Sequence, residues 1–403
     1  MTKGHFRAFA YVLGVAALAA ACTGDGSAGE NDAGTAATTT APAEPDAPAV
    51  ADEAPTATEP AEPAEPEPAE PQGPPHIAEL AWGNFELSER IAAKLEADER
   101  LNFVISLRAT GEGGFADSFE HGWQQAAAAA AEEHGVQINA RVIGPHAADA
   151  ESQSAAIEAL LSTGDIDCLA VDAANPGLLD DAIDAAADAG VPVFAVGGDS
   201  PDSKRFAFHG PDDVEAGRAA GSLVGQWAED GGILVRVAGV LTGDAADQGS
   251  YDLMRGFVAG LSEIHSGVIW ANSPEDVESF GYDPVSVYDR IEAWVLDNSD
   301  ADIVFFTDAG VESLAAVMAD QLLYGDMYAV GFHMSPTMAA FIRERLVVAA
   351  MVPRHAEQAR LAGQACGDFL LQGTLQTGHI IVEPLAVTLD NVEDADWSLP
   401  ENL

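Results

Sequence analysis

The sequence predicts an α/β protein with two halves, each a doubly wound parallel sheet covered by helices. Short, fully apolar segments alternate with longer amphipathic or Ala-rich segments, which is typical of buried parallel strands and their helical crossovers. The alternation starts again after residue 210, and one more apolar segment follows near residue 380. The chain beyond residue 76 is long enough for two domains of ordinary size.

The first half opens with a lead-in segment over residues 76–100, where Leu87, Ile91 and Leu95 recur at helical spacing. Predicted strands then cover 101–107, 136–143, 167–173 and 191–198. Predicted helices between them cover 117–135, 150–164 and 176–190. Gly135 and Gly190 mark helix ends, and Pro176 marks a helix start. This order indicates a β-α repeat.

The second half repeats the same pattern and is of similar size. Its predicted helices cover 212–232, 249–264, 285–298, 310–323, 336–346 and 357–373. Its predicted strands cover 233–241, 267–271, 302–308, 328–332 and 347–352, with a final strand at 380–389. No repeat of solenoid length is present.

The N-terminus reads as an export signal followed by a linker. Lys3 and Arg7 precede an apolar segment over 8–21, which is shorter than the ~20 residues of a spanning helix. The small residues that end at Cys22 resemble a bacterial lipoprotein signal over 1–21, which implies a lipid on Cys22 and an anchor on the outer face of the cell membrane. Leu18 lies one position further from the cysteine than that motif has it. Ordinary cleavage, which would give a soluble secreted protein, is the alternative.

Residues 22–75 are predicted to be a disordered acidic linker. The stretch ends in "EPAEPAEPEPAEPQGPP" and has almost no bulky apolar side chains, so it cannot offset the entropy of ordering. Its prolines and like charges favour an extended chain. Such a linker can hold a folded domain away from a membrane.

Composition excludes several functions. The chain has 17 Lys and Arg against 66 Asp and Glu, a formal net charge of −49, which disfavours a nucleic-acid partner. No dinucleotide or P-loop motif, CxxC, HExxH or GxSxG is present, so we expect no cofactor, no metal site and no enzyme activity.

Cys168 and Cys366 both lie in apolar segments, which favours two buried thiols, with a disulfide bond as the alternative.

The order of motifs resembles the type I periplasmic solute-binding proteins, the ribose/galactose-type sugar receptors of bacterial ABC transporters. The stretches "GGFADSFEHGWQQAAAAAAEEHGVQI", "ESQSAAIEALLSTGDIDCLAVDAANPGLLDDAIDAAADAGVPVFAV", "DDVEAGRAAGSLV", "VFFTDAGVESLAAV" and "YAVGF" carry the resemblance. No single motif is decisive, but their number and order are. The resemblance spans residues 101–390.

The resemblance implies two lobes joined by three hinge crossovers, with a ligand between them at the carboxyl ends of the strands. The first lobe would comprise 101–210 plus 354–377. The second would comprise 212–352 plus 379–390, followed by a tail over 391–403. The implied partners are a small sugar-like solute and an ABC permease, and the expected state is a monomer.

Candidate ligand-binding residues follow from the strand ends and the resemblance. They are Phe115, Phe119, Asp149, Asp199, Tyr251, Asp308, His333 and Arg354. Phe115 and Phe119 have a core role as their alternative, and Asp149 a role as a helix cap. Arg354 has an ion pair with Glu357 or another acidic residue as its alternative. His333 replaces the family's usual aspartate after "VGF", so it either meets the ligand or braces the loop "SPTM".

The sequence leaves three functions to compare, two binding roles and an enzyme. The first is a solute-binding lipoprotein of an ABC transporter, and the alternative is a receptor subunit that presents a ligand to a membrane signalling kinase. Both need only binding and lobe closure. The absence of a nucleophile–base pair in the sequence pattern disfavours the enzyme.

Overall fold

The computed structural model describes residues 77–111, 114–394 and 397. The predicted signal, Cys22 and the acidic linker lie outside these residues. The strands, numbered in chain order, are β1 Ile77–Leu80, β2 Gly83–Glu86, β3 Leu101–Ser106, β4 Ile138–Ile143, β5 Cys168–Val171, β6 Val193–Val196, β7 Ala207–Gly210, β8 Val237–Leu241, β9 Ile269–Trp270, β10 Ile303–Phe306, β11 Tyr328–Gly331, β12 Val347–Val352, β13 Gly378–Ile381 and β14 Leu385–Thr388.

Ten helices cover the two sheets in the described part of the chain. They are α1 Glu89–Glu96, α2 Phe115–His134, α3 Ala150–Thr163, α4 Pro176–Asp188, α5 Asp213–Gly231, α6 Gln248–Ile264, α7 Pro284–Asp297, α8 Gly310–Asp320, α9 Pro336–Arg343 and α10 His355–Gly367. A π-helical extension, Asp368–Gln372, continues α10. No helix of the described residues is long and apolar enough to cross a membrane.

The strands form two six-stranded sheets, one in each lobe. The first sheet has the order β13-β7-β6-β5-β3-β4 and is parallel throughout. The second has the order β14-β12-β11-β10-β8-β9, with only β14 antiparallel to its neighbour. This confirms the predicted fold class. In each sheet the strand order reverses beside the first strand, between β3 and β5 and between β8 and β10, and such points are where α/β sheets bind ligands.

The sequence signals for helix ends act as predicted. Asp149, Asn175 and Asp283 cap the starts of α3, α4 and α7 with side-chain oxygens, which accept backbone N–H groups otherwise left without partners. Gly135, Gly164 and Gly232 end α2, α3 and α5 in the left-handed conformation. These helix ends therefore coincide with residues whose side chains or backbone freedom suit a cap.

Close helix pairs fix the inner layers of both lobes. In the second lobe, α5 packs on α6 with Gly217 against the backbone of Leu253 and Gly256 against the backbone of Val214. In the first lobe, α2 packs on α10 with Gly122 against the backbone of Ala356. A Cβ atom at any of these glycines would collide with main-chain atoms, so side chains are excluded there.

The structure differs from the predicted elements at three places. Residues 77–86 of the lead-in segment form an antiparallel hairpin, whose Phe85 is buried against Phe206 and Phe369. The short strand β7 has no counterpart in the prediction. The predicted final strand is two strands, and β13 pairs with β7 in the first sheet, so residues 379–381 do not lie in the second lobe as expected. The third crossover therefore lies between β13 and β14.

Cys168 and Cys366 form a disulfide bond, so the preference for two buried thiols is wrong. The bond joins β5 to α10 with a Cα–Cα distance of 6.0 Å, and both residues are fully buried. The cross-link spans 198 residues and is contained within the first lobe. The bond links α10 to β5 in the middle of the first sheet. The helix α10 begins just after the second crossover, which lies between β12 and α10.

Candidate ligand-binding cleft

An arginine and an aspartate meet at the switch point of the first lobe. Arg108 lies two residues beyond β3, and Asp172 directly follows β5. The Arg108 Nε donates to both carboxylate oxygens at 2.9 Å, and Nη2 donates to Oδ1 at 2.6 Å. Gly198 N also donates to Oδ1 at 2.8 Å. The guanidinium is therefore held in one orientation by a carboxylate that has no exposed surface.

The charge of Arg108 is secured by its surroundings. Partial burial lowers its pKa, but the Asp172 carboxylate more than offsets this, and the net pKa is raised. Asp247 and Tyr282 of the second lobe contribute in the same direction. The carboxyl ends of the two sheets therefore face each other across a cleft, with Arg108 on the first-lobe side.

Two glycines after β6 leave space for this ion pair. A Cβ atom at Gly197 would lie 2.6 Å from Asp172 Oδ1. A Cβ atom at Gly198 would lie 2.5 Å from Arg108 Nη2. The "GGD" sequence at the end of β6 is thus required by the Arg108–Asp172 pair.

An aromatic cluster borders the pair at the second crossover. His355, the first residue of α10, stacks on Phe119 with ring centroids 4.8 Å apart, and Phe115 meets both rings edge-on. Burial lowers the pKa of His355 to about 4, so its imidazole is neutral at neutral pH. A neutral imidazole has one donor and one acceptor nitrogen.

The second-lobe side of the cleft carries a carboxylate that no arginine neutralises. Asp308 follows β10 and accepts from Gly243 N at 2.8 Å, Gly310 N at 2.9 Å and Thr307 Oγ1 at 3.2 Å. Burial raises its pKa, although these hydrogen bonds act in the opposite direction. Among the described residues Asp308 forms no ion pair, and its carboxylate is half-buried at the cleft.

Tyr282 is presented beside Asp308 by a short extension of the sheet. Phe280 N donates to Thr242 O at 2.9 Å, and Gly281 N donates to Gly243 O at 2.8 Å. Gly281 has a φ of 81°, which turns the chain so that the Tyr282 ring lies against Gly243. The ring is 58% exposed, which makes it an available aromatic face at the cleft.

Further carboxylates make this side of the cleft acidic. Asp213 and Asp247 approach each other at Gly249, where a Cβ atom would lie 3.1 and 3.4 Å from their Oδ2 atoms. Burial, followed by the charges of Asp247 and Asp252, raises the pKa of Asp213 to about 7. The cleft therefore offers hydrogen-bond donors on the first lobe and mainly acceptors on the second, an arrangement that suits a polyhydroxylated ligand.

His333 lies at the second-lobe edge of the cleft and has a local partner. Its Nε2 is 3.4 Å from Glu312 Oε2, to which Ser335 Oγ also donates at 2.6 Å. The hydrogen bond from His333 lowers the pKa of Glu312. This network matches the bracing alternative.

The structure brings only some of the predicted site residues together. Phe115, Asp308 and His333 border the cleft, and Arg354 lies at the second crossover next to His355 with a left-handed φ of 61°. Glu357 pairs with Arg360, so the expected alternative of an Arg354–Glu357 ion pair is not formed.

The other predicted residues have local roles. Asp149 caps α3 and accepts from Ser152 Oγ at 2.6 Å, and this hydroxyl lowers its pKa. Asp199 is paired with Arg205, whose Nη2 donates at 2.6 Å. Tyr251 donates to Glu275 at 3.2 Å, and Phe119 is fully buried under His355. Each of these four side chains therefore has a local partner in this conformation.

Sequence reasoning missed several residues of the cleft, namely Arg108, Asp213, Asp247, Tyr282 and His355. Arg108 could have been found from the rule that sites lie beyond neighbouring strands at a switch point. Tyr282 could not, because its position depends on the extension of the second sheet at 279–281.

The comparisons with known proteins agree with this architecture. A family model described as a periplasmic binding protein domain matches residues 103–373. The glucose-galactose binding protein of Geobacillus stearothermophilus is 20% identical, with a TM-score of 0.62, and the match covers 73% of this chain and 99% of that one. A solute-binding protein of an ABC transporter from Burkholderia graminis, solved with D-arabinose, is 18% identical, with a TM-score of 0.63 and coverages of 73% and 97%.

A periplasmic solute-binding protein from Actinobacillus succinogenes, solved with D-allose, shares 11% identity, with a TM-score of 0.60 and coverages of 73% and 99%. No curated protein matches the chain. At these identities the solved structures establish the fold, and the family model spans well over half of the sequence. The chain therefore belongs to the periplasmic binding protein family and has the fold of its type I, ribose/galactose-type members.

Proposed function

We propose that this protein is an extracytoplasmic solute-binding lipoprotein that captures a sugar or sugar-like molecule between its lobes and delivers it to an ABC permease. The observation that carries the proposal is the polarised cleft, with the fixed guanidinium of Arg108 facing the open carboxylate of Asp308. Structural neighbours bound to D-arabinose and D-allose support a monosaccharide as the ligand.

In this proposal each lobe supplies one polar contact and at least one aromatic face. Arg108 donates to ligand oxygens, and Asp308 accepts from ligand hydroxyls. Phe115 and His355 on the first lobe, and Tyr282 on the second, offer ring faces to the C–H surfaces of a sugar. His333 and Arg354 lie close enough to the cleft to contact substituents of the ligand as the lobes close.

Lobe closure and binding are tested together. We expect one or more monosaccharides of a panel containing D-galactose, D-arabinose, D-allose and myo-inositol to raise the melting temperature, because a ligand that binds only the folded state stabilises it. The same ligand is expected to decrease the radius of gyration in small-angle X-ray scattering. A panel without any thermal shift, or binding with an unchanged radius, contradicts the proposal.

The anchor and the transport role need the full chain in cells. Cys22→Ala is expected to release the protein from the membrane fraction, whereas the matched substitution Ser27→Ala is expected to leave it anchored. Deletion of the gene is expected to abolish uptake of the cognate radiolabelled sugar. Unchanged uptake, with a lost transcriptional response to the sugar, would instead support the alternative of a receptor subunit for a signalling kinase.

The protein is further proposed to act as a monomer without a cofactor. In the described residues no three His, Cys, Asp or Glu side chains gather as they would around a metal ion. Sedimentation equilibrium of the protein without its lipid is expected to give the monomer mass with and without sugar.

A further inference from the structure

A groove lies on the second lobe at the edge opposite the cleft. It has a volume of about 340 Å³. Its lining includes Trp227, Ile233, Tyr324, Tyr328, Glu344 and Arg345. Tyr328 begins β11, and Ile233 and Arg345 precede β8 and β12, so the groove is at the amino ends of the strands. The cleft, at the carboxyl ends, is a full sheet length away.

Aromatic side chains line the groove. Trp227, near the end of α5, meets Tyr328 edge-on, with ring centroids 4.7 Å apart and an interplanar angle of 73°. Tyr324 is 47% exposed, and the turn at Gly325, with a φ of 82°, presents it. Exposed aromatic faces at a concave surface offer stacking to apolar C–H faces of a ligand.

Polar groups complete the groove. Tyr324 Oη donates to Glu344 Oε2 at 3.3 Å, and Arg345 is the next residue. In the described part of the chain Arg345 forms no ion pair. The carboxylate and the guanidinium offer planar acceptors and donors side by side, and their charges cancel, which suits neutral hydroxyl pairs rather than an ion.

The backbone of Arg345 is strained where a glycine would relieve it. Arg345 lies two residues beyond the end of α9, directly after the C-cap residue Glu344, and has a φ of 63°, in the left-handed conformation that glycine favours at helix ends. Leu322 stands at the same position after α8 with a φ of 58°. Of these two left-handed residues only Arg345 lines the groove, so the pair allows the conformation and the side chain to be tested separately.

We propose that this groove is a second saccharide-binding site, which takes neutral hexose units of an oligosaccharide. Tyr324 and Trp227 supply the ring faces, and Glu344 and Arg345 bond the hydroxyls. The groove is shallow, so binding is weaker than at the cleft and independent of it. A receptor with this site would hold a saccharide chain at its outer lobe while the cleft takes a single sugar unit.

The test uses cellohexaose and maltohexaose with the wild-type protein lacking its lipid. At least one is expected to bind in isothermal titration and to quench tryptophan fluorescence, with the quench lost in Trp227→Phe. Binding is expected to persist in Asp308→Asn, which separates it from the cleft and from the proposed function. If neither hexaose binds, or if the quench is unchanged in Trp227→Phe, the proposal is wrong.

Two matched glycine substitutions separate recognition from stability. Arg345→Gly and Leu322→Gly both relieve a left-handed residue at a helix end, so both are expected to raise the melting temperature. Only Arg345→Gly is expected to weaken hexaose binding, by about tenfold or more, because Leu322 does not line the groove. Equal hexaose affinity in the two variants overturns the proposal, as does self-association that Tyr324→Ala abolishes in a protein that binds no hexaose.

Discussion

Asp172 in the first lobe and Asp308 in the second lobe occupy nearly equivalent positions beyond the third strand of their sheets. Each accepts from a backbone N–H beyond the first strand, Arg108 N at 3.3 Å and Gly243 N at 2.8 Å. Asp172 is fully buried and engaged by an arginine side chain, whereas Asp308 is half-buried and receives only backbone and hydroxyl donors.

The difference shows that an aspartate at an equivalent position in the two lobes can give two kinds of binding surface. In the first lobe the carboxylate is used to fix a guanidinium, so the group that faces the cleft is a rigid donor. In the second lobe the carboxylate itself faces the cleft as an acceptor. A ligand with adjacent hydroxyls can use both, since a hydroxyl donates and accepts.

The largest expected effect is the loss of the first-lobe ion pair. Asp172→Asn leaves the Arg108 guanidinium partly buried without its counter-charge, so we expect the free energy of unfolding to fall by about 3 kcal/mol. Asp308→Asn breaks no ion pair, and we expect a change of less than about 1 kcal/mol. Urea unfolding measures both, and equal losses would remove the distinction between the two aspartates.

Glycine substitutions sharpen the comparison at a smaller scale. In Gly198→Ala the new Cβ atom would lie too close to Arg108 Nη2, which Asp172 holds in place, and to the carbonyl oxygen of Ala173. We therefore expect the free energy of unfolding to fall by about 1–3 kcal/mol. Gly243→Ala displaces the exposed ring of Tyr282, so we expect a smaller loss of stability together with weaker sugar binding. Gly267→Ala, which meets no atom within 4 Å, is the control. Equal stability of the Gly198 and Gly243 variants would contradict the idea that only the first-lobe group is rigid.

The sequence predicts the layers of this fold more completely than it predicts the cleft. The apolar strands and the capped helices are local features, so their alternation reveals two parallel sheets. The hairpin at 77–86 and the strand β7 are too short for periodicity to identify. The Cys168–Cys366 bond depends on the packing of α10 on β5, which no local pattern specifies.

The candidate site residues also differ in how well the sequence predicts their role, because local patterns do not specify tertiary neighbours. Asp308 and Phe115 stand at strand or helix boundaries that the sequence marks, so the sequence predicts them as ligand contacts, and they stay predictions. Asp149 and Asp199 follow such boundaries too, but a local hydroxyl and a local arginine engage them. The choice between a ligand contact and a local partner depends on tertiary neighbours, and Tyr282 and His355 reach the cleft only through those neighbours.

A further prediction concerns the pH dependence of stability at the acidic side of the cleft. The pKa of Asp213 is raised from 3.8 to about 7, so the folded state binds its proton more tightly than the unfolded state. Stability from this group is therefore present at low pH and is lost as the pH rises from about 4 to about 7. We expect the stability of Asp213→Asn, relative to wild type, to increase across this range and then level off. Denaturation curves at several pH values check this, and parallel pH profiles would contradict the assignment.

Isothermal titration of Asp308→Asn with the cognate monosaccharide tests the central claim most directly. If the open carboxylate of the second lobe accepts from ligand hydroxyls, its replacement is expected to weaken binding by about ten- to a hundredfold. Asp297→Asn, which makes the same charge change at an exposed position of α7, is expected to bind like the wild type. An Asp308→Asn protein that remains folded and binds the sugar as tightly as the wild type would contradict the account.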